Sequence, residues 1–160
     1  MKAIVFRENG PPEVLHVEEL PDPAPGPGEV RVRVAAVAMN RLDVWIRRGL
    51  PHIKPRFPFI LGADVAGVVD GVGPGVRGVT DGEEVIVNPG VSCGRCRECL
   101  SGRDNLCRDY SILGEHRDGG YAGYLVIPAA NLLPAPRALS WPERAAVPLT
   151  FLTEIGRAHV

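Results

Sequence analysis

All four cysteines of the sequence lie between positions 93 and 107, and their spacing is that of a metal site. Two residues separate the first from the second and the second from the third, and seven residues precede the fourth. Spacers of two residues let successive thiolates point at one centre, and a further thiolate from a nearby turn completes the tetrahedron that zinc favours. The sequence therefore predicts one structural zinc ion, with no ligand position left for a substrate. The predicted ligands are Cys93, Cys96, Cys99 and Cys107.

Two other uses of these cysteines stay open at this point. A disulfide pair is disfavoured, because the N-terminal apolar stretch is too short for a signal peptide and a reducing cytoplasmic compartment is the default expectation. An iron–sulfur cluster usually has different cysteine spacing and surroundings. Nearby arginines would offset the negative charge that four thiolates leave on a zinc ion; they are Arg95, Arg97, Arg103 and Arg108.

The elements that must hold this cluster are predicted to be short strands joined by tight turns. Gly (19) and Pro (16) punctuate a chain in which apolar residues alternate with polar ones. The clearest strand, 29–34, alternates valine with charged residues. Because long helical crossovers are missing, an antiparallel barrel or sandwich is favoured over a βαβ fold. Further strands are predicted at 2–6, 14–20, 64–72, 84–88 and 120–127.

Helical signals are few and lie in two places. Residues 41–48 are predicted to form a short helix that ends at Gly49. Ser140 and Glu143 have the spacing of a capping box, with Pro142 in the first turn. That turn is expected to continue through Val147 and to stop before the next proline.

Composition excludes several classes of protein. With 160 residues, 45% of them apolar and 23% charged, the chain is that of one globular domain rather than a disordered segment. The formal net charge of −1 gives no reason to expect a nucleic-acid or membrane partner. No apolar run reaches the roughly 18 residues that a membrane span needs. The expected location is the cytoplasm and the expected partner is a small-molecule substrate.

Several segments together resemble the medium-chain dehydrogenase/reductase superfamily, which contains the zinc alcohol dehydrogenases and the quinone oxidoreductases. The cysteine spacing is similar to that of the family's structural zinc lobe, and segments 10–15, 58–69, 72–76, 81–85 and 114–122 resemble its other motifs. The resemblance covers residues 1–153. It implies a mainly β fold: a GroES-like, partly open β-barrel with short helices and a structural zinc lobe.

The same resemblance implies a domain organisation. Residues 1–128 would form the substrate domain, including the zinc lobe at 89–110, and residues 129–153 would lead to a nucleotide-binding domain of the Rossmann type that is absent from this chain. The chain alone is therefore expected to bind NAD(P)H weakly and to catalyse nothing. The full-length enzyme is expected to be a homo-oligomer. Residues 154–160 can be read as the translation of a common sequencing adapter, which predicts a non-native tail.

Two departures from the family pattern concern a second, catalytic zinc. Zinc alcohol dehydrogenases carry a cysteine where this sequence has Asn40, and a Gly-His-Glu triplet where it has Gly62, Ala63 and Asp64. An amide is a poor zinc ligand and a methyl group is none. We therefore expect no catalytic metal, and the segment that begins at Asn40 resembles the quinone-oxidoreductase branch.

The leading interpretation is the N-terminal domain of an NAD(P)H-dependent reductase that transfers hydride to a quinone, an enone or a carbonyl. One alternative is a zinc-type alcohol dehydrogenase with atypical metal ligands. Another is a stand-alone, zinc-stabilised GroES-like binding module without catalysis. A zinc-ribbon nucleic-acid binder is the weakest, because the basic charge that it requires is missing.

The resemblance also implies roles for individual residues. Asn40 would be catalytic and would contact the nicotinamide ribose or the substrate oxygen, Trp45 and Asp64 would line the substrate cleft, and Thr153 would lie against the nicotinamide. Simpler roles remain open: Asn40 closing a turn, Trp45 in the core, and Asp64 capping a helix or forming an ion pair. His116 is expected to be hydrogen-bonded or on the surface. The glycines at 71–75 are interrupted by Pro74, so no phosphate-binding turn is expected there.

Overall fold

The computed structural model of the chain is mainly β, as the sequence predicts. It describes the backbone of residues 1–157 and the side chains of residues 1–153. The strands are β1 (Lys2–Phe6), β2 (His16–Glu19), β3 (Glu29–Ala38), β4 (Phe59–Ile60), β5 (Asp64–Val72), β6 (Glu84–Val87), β7 (Gly90–Val91), β8 (Ser111–Ile112), β9 (Tyr124–Pro128) and β10 (Leu132–Pro134). The α-helices are α1 (Arg41–Arg48), α2 (Arg97–Leu100), α3 (Trp141–Ala145) and α4 (Pro148–Arg157). Three 3₁₀ turns lie at Pro12–Val14, Asp104–Leu106 and Ala129–Asn131.

A five-stranded antiparallel sheet forms the body of the fold. Its strand order is β10-β6-β5-β3-β9, and β3 pairs with β5 along most of its length, with two register shifts. Val30 and Val32 alternate with Arg31 and Arg33 along β3, and both valines are completely buried. The alternation seen in the sequence therefore places one face of this strand in the core.

A second, three-stranded sheet has the order β2-β1-β4 and is tied to the first through the segment before β9. Ile4 N–H donates to the carbonyl of Tyr121 at 2.8 Å, and Gly123 N–H donates to the carbonyl of Lys2 at 2.9 Å. These bonds join β1 to the chain that leads into β9. The two sheets, with the short helices and the four-cysteine lobe, make up a mainly β domain.

The main core is formed mostly by side chains from the strands of the larger sheet, and a second apolar cluster packs against α1. Phe6, Ile46 and Phe59 form the centre of the second cluster, with Phe6 and Phe59 in edge-to-face contact at 5.9 Å. The main core consists of Val30, Val32, Val65, Val69, Val85, Val87, Val91, Leu113, Leu125 and Ile127. The second cluster fixes the position of α1, whose N-cap residue is Asn40.

The structure differs from the predicted elements in several places: β3 runs on to Ala38, beyond the predicted 29–34, and the short elements β4, β7, β8, β10 and α2 are additional. Val14 belongs to a 3₁₀ turn rather than to a strand, because the prolines at 11 and 12 start a turn there. The predicted strand 120–127 begins only at Tyr124, since the preceding residues bond to the segments around Lys2 and Gly62 instead. Pro148 does not end helical structure but opens α4, because proline is tolerated at the first position of a helix.

Helix α4 runs to Arg157 and so continues into the segment 154–160 that is predicted to be non-native. The side chains of that segment, and residues 158–160 entirely, lie outside the described residues. The boundaries 1–128, 129–153 and 154–160 remain predictions. Within the described part of the chain, no helix combines the length and apolar character that crossing a membrane requires.

Candidate functional site

The four cysteines converge as the sequence predicts. All four Sγ atoms lie within 4.8 Å of one another. The Sγ atom of Cys99 is 3.4 Å from that of Cys96 and 3.9 Å from that of Cys93. Four ligands at a Zn–S distance near 2.3 Å in a tetrahedron have sulfur–sulfur separations of about 3.8 Å. These distances fit a tetrahedral zinc ion, and they are too long for a disulfide bond.

The backbone around the cluster also favours thiolates. The N–H groups of Arg95 and Cys96 donate to the sulfur of Cys93 and lower its pKa to about 6. Cys93 N–H lies 3.4 Å from the sulfur of Cys107 and acts to lower its pKa, but burial and the sulfurs of Cys93 and Cys99 outweigh that bond and raise the pKa of Cys107 to about 11. Since zinc binds the thiolate and not the thiol, Cys93 is suited to a metal as it stands, whereas Cys107 would give up its proton on metal binding. With four sulfur ligands no coordination position is open, so a zinc ion here would be structural.

Two hydrogen bonds from one side chain attach the four-cysteine lobe to the body of the fold. The side-chain amide of Asn131 donates to the carbonyls of Asn88 at 2.9 Å and Gly90 at 2.8 Å. The two-stranded sheet of β7 and β8 follows, with Val91 and Leu113 buried in the main core. The lobe itself buries few apolar side chains, since Leu100 and Leu106 are exposed. Metal binding is therefore the main interaction available to order it.

The predicted substrate cleft is represented in the structure by a hydrogen-bond network that begins at Asn40, the N-cap residue of α1. Its backbone N–H donates to Oδ2 of Asp43 at 2.7 Å, in a capping box. Oδ1 of Asp43 accepts the N–H of Gly62 at 2.9 Å, and the hydroxyl of Tyr121 donates to Oδ2 at 3.1 Å. Burial, together with the charge and hydrogen bond of Asp43, raises the pKa of Tyr121, which therefore stays protonated as a donor.

Asp64 lies beside this network at the start of β5 and is almost completely buried. Its Oδ2 accepts the side-chain N–H of Asn40 at 2.9 Å, and its Oδ1 accepts the backbone N–H of Leu149 at 2.6 Å. Burial raises the pKa of Asp64, and the two hydrogen bonds oppose that shift. Asp64 therefore caps the first turn of α4, one of the roles that its sequence left open.

The other predicted site residues lie on surfaces near this network. Trp45 is 49% exposed on α1, so it is not a core residue. Thr153 is exposed on α4, and its hydroxyl donates to the carbonyl of Leu149 at 2.8 Å. Nδ1 of His116 accepts the N–H of Ile112 at 3.2 Å, which confirms a hydrogen-bonded surface position. The structure brings Asn40 and Asp64 into direct contact. The substrate and coenzyme roles predicted for Asn40, Trp45, Asp64 and Thr153 remain predictions.

Sequence reasoning missed Asp43 and Tyr121, which organise the turn around Asn40. A local signal was present for Asp43, because Asn followed three positions later by an acidic residue is the pattern of a capping box. Tyr121 carries no such signal, since it is distant in sequence and reaches Asp43 only through the tertiary fold.

The residues of this cleft do not fit a catalytic zinc ion. Both hydrogen atoms of the Asn40 amide point at acceptors, the carboxylate of Asp64 at 2.9 Å and the carbonyl of Ala38 at 3.5 Å. Ala63 is buried and offers no ligand atom. Both oxygens of Asp64 accept N–H groups. Among the side chains that the structure describes, the four cysteines form the only cluster of three or more potential metal ligands.

The glycines at 71–75 are not arranged as a phosphate-binding turn. Gly73 N–H donates to the carbonyl of Glu29 at 2.8 Å, and Gly75 occupies a turn with a φ of 80°. No helix follows, so the backbone N–H groups are not arranged to cradle a phosphate.

Fold and lobe together define the GroES-like domain that alcohol dehydrogenases carry at their N-terminus. The sequence model of the family "Alcohol dehydrogenase GroES-like domain" matches residues 26–137 of this chain. This chain belongs to the medium-chain, zinc-type alcohol dehydrogenase superfamily.

Three relatives show how far the similarity extends. The chain is 61% identical to a crystal structure of an NAD-dependent alcohol dehydrogenase, with a TM-score of 0.92 over 96% of this chain and 45% of the other. It is 40% identical to the starvation-sensing protein RspB of Escherichia coli K12, over 88% of this chain and 40% of RspB. It is 39% identical to a cobalt- and zinc-bound thermostable alcohol dehydrogenase from Pyrobaculum aerophilum, with a TM-score of 0.84 over 92% and 44% of the two chains.

These matches favour the alcohol dehydrogenase alternative over the quinone reductase that the segment at Asn40 suggested. The two solved relatives are named as alcohol dehydrogenases, one of them NAD-dependent and the other zinc-bound. The chain spans less than half the length of all three relatives. It is therefore homologous to the N-terminal part of NAD-dependent dehydrogenases.

Proposed function

We propose that this chain is the N-terminal substrate domain of an NAD-dependent alcohol dehydrogenase with one structural zinc ion. The observation that carries the proposal is 61% identity with an NAD-dependent alcohol dehydrogenase over 96% of the chain. The four-cysteine cluster, whose distances suit zinc, supports the structural metal.

Bound NAD would supply the acceptor for the hydride that leaves the alcohol carbon, and the hydroxyl proton would pass to solvent. The residues of this chain would then bind and orient the alcohol. Asn40 is held rigidly by Asp43 and Asp64 at the cleft, Trp45 offers an exposed aromatic surface for the carbon skeleton, and Thr153 would face the nicotinamide. Orientation and water exclusion are the contributions that such a cleft makes without a metal.

A second candidate function is hydride transfer from NAD(P)H to a quinone or a conjugated carbonyl. The observation that favours it is the cleft itself, where Asn40, Ala63 and Asp64 do not form a zinc site. Such acceptors are already electrophilic and do not need a Lewis acid to stabilise an alkoxide. The stand-alone binding module is not favoured, because the solved relatives named above are alcohol dehydrogenases.

The enzyme at the full length of its relatives distinguishes the two functions. NAD⁺ reduction is measured with primary alcohols, secondary alcohols and polyols, and NADH or NADPH oxidation with quinones and enones. We expect alcohol-dependent NAD⁺ reduction. Turnover of quinones or enones without any alcohol oxidation would reject the proposal in favour of the second candidate.

Trp45 tests whether the proposed cleft binds the substrate. Trp45→Ala is expected to raise KM for the alcohol about tenfold, the effect of losing one good apolar contact. The control is Val44→Ala, which shortens the neighbouring exposed apolar side chain of the same helix. An equal rise in KM in both variants would remove Trp45 from the substrate site.

A further inference from the structure

Asp64 is a buried carboxylate that has no cationic partner. It is 1% exposed, and none of the ion pairs among the described side chains includes it. The neighbouring charge is another carboxylate, that of Asp43, which raises its pKa further. Burying a carboxylate in this way is costly unless hydrogen bonds compensate. The hydrogen-bond donors that compensate for the burial of Asp64 therefore indicate its role.

The two oxygens of Asp64 bond to two elements that are far apart in sequence. Oδ2 accepts the side-chain N–H of Asn40, 24 positions away, at the start of α1. Oδ1 accepts the backbone N–H of Leu149, 85 positions away, in the first turn of α4. One carboxylate therefore bridges the N-terminal ends of two helices.

Helix α4 depends on this carboxylate because its own sequence supplies no cap. Val147 precedes the helix and has no polar side chain, and Pro148 has no N–H. Leu149 is thus the first residue of α4 with an N–H to satisfy, and Asp64 accepts it at 2.6 Å. A negative charge at this position also interacts favourably with the helix dipole.

Thr153 is one helical turn beyond Leu149 on the same helix. Its hydroxyl donates to the carbonyl of Leu149, the residue whose N–H Asp64 accepts. The positions of Asn40 and Thr153 are consequently both set by Asp64, one directly and the other through a single turn of α4.

We propose that Asp64 is a positioning residue whose carboxylate fixes α4, and with it Thr153, relative to Asn40, so that Thr153 contacts the bound coenzyme beside the place where Asn40 contacts the substrate. The coenzyme part of this statement rests on the proposed function. Asp64 itself makes no contact with substrate or coenzyme in this role and transfers no proton.

The first test uses the zinc-loaded 160-residue chain and does not depend on activity. In Asp64→Asn, hydrogen exchange at the Leu149 amide is expected to become at least about tenfold faster, and the side-chain amide resonances of Asn40 are expected to shift. The matched control is Asp118→Asn, which removes a carboxylate that accepts the Ile60 N–H at 3.0 Å but contacts neither Asn40 nor α4. It should leave both signals unchanged.

Three outcomes of this test would overturn the positioning role. They are an unchanged Leu149 exchange rate, unmoved Asn40 resonances, and equal changes in the control. If Asp64→Asn does not fold, Asp64→Glu retains the carboxylate on a longer side chain and is expected to shift both signals together. Unmoved signals in that variant would reject the proposal equally.

The second test measures coenzyme binding in the enzyme at the full length of its relatives. Asp64→Asn is expected to raise KM for NAD⁺ at least about tenfold, while Asp118→Asn leaves it unchanged. Altered amide signals with an unaltered KM would overturn the coenzyme part of the proposal. A wild-type enzyme without dehydrogenase activity would reject the proposed function instead, and the amide measurements would still decide the positioning role.

Discussion

At the scale of single residues, the cleft depends on carboxylates that accept hydrogen bonds rather than on charged pairs. Asp43 accepts the backbone N–H of Asn40, the backbone N–H of Gly62 and the hydroxyl of Tyr121. Gly62 has a φ of 102°, a backbone conformation that side chains disfavour, so the turn before β5 is held both by its glycine and by this carboxylate. The orientation of Asn40 follows from these contacts.

Replacing Asp43 is therefore expected to destabilise the chain more than replacing an exposed acid. Asp43→Ala leaves three donors without an acceptor in a buried place, and we expect a loss of about 2–4 kcal/mol in the free energy of unfolding. Asp43→Asn retains one acceptor oxygen and should cost less. Urea denaturation of the zinc-loaded chain measures both.

The control for Asp43 is Glu18→Ala, which breaks an exposed ion pair with Arg7. Exposed ion pairs contribute little to stability because solvent screens them, so this variant should unfold close to the wild type. Equal losses for the two alanine variants would show that the network around Asp43 adds nothing to stability.

At the scale of elements, the sequence predicted those whose signals are local. Helix α1 has the predicted bounds because the residues that begin and end it, Asn40 and Gly49, directly flank it in the sequence. Strand β5 likewise has the predicted bounds. Helix α4 was missed because its cap, Asp64, lies far upstream, and the hydrogen bonds of Asp43 and Tyr121 are equally dependent on the tertiary fold. The cysteine cluster was predictable because its ligands are close together in the chain.

Asn131 should stabilise the junction between the lobe and the main sheet. Its amide donates to two backbone carbonyls, and its side chain is buried. Asn131→Ala removes both bonds, so we expect a loss of about 1–3 kcal/mol in the free energy of unfolding, measured by urea denaturation. The control is Asn105→Ala in the exposed 3₁₀ turn of the lobe, and a loss of equal size there would contradict the role of Asn131.

The start of α3 should lose a stabilising contact in acid. The Glu143 carboxylate accepts the hydroxyl of Ser140 at 2.7 Å and its backbone N–H at 2.8 Å, and these bonds lower the pKa of Glu143 below 4.5. Because the folded-state pKa is the lower one, the contribution is complete above pH 4.5 and is lost as the pH falls through the lowered value. The Ser140 amide resonance should titrate in that range. Glu143→Gln should abolish the titration, and a titration that persists would contradict this contact.

At the scale of the whole molecule, the chain combines a body with a continuous apolar core and a lobe that has almost none. Val91 of β7 and Leu113, the residue after β8, belong to the main core, whereas Leu100 and Leu106 in the lobe are exposed. The lobe must therefore gain its order from bound metal, and the body from packing. The two parts should respond differently when the metal is withdrawn.

Removal of zinc is expected to unfold the lobe and to leave the five-stranded sheet largely intact. Structural zinc contributes on the order of 10 kcal/mol in zinc-finger peptides, far more than the few apolar contacts of the lobe can replace.

The zinc-loaded chain should contain one zinc ion by elemental analysis and no thiol that reacts rapidly with a disulfide reagent. After chelation all four cysteines should react, and amide resonances should collapse for the segment around Cys93–Cys107 while those of β3 and β5 keep their dispersion. The control is Ser111→Ala, which changes a side chain of β8 and leaves all four sulfur ligands in place. Its zinc content and thiol reactivity should match those of the wild type. Thiols that react freely in the zinc-loaded chain would reject the metal site, and a second tightly bound zinc ion would show that the cleft around Asn40 holds a metal after all.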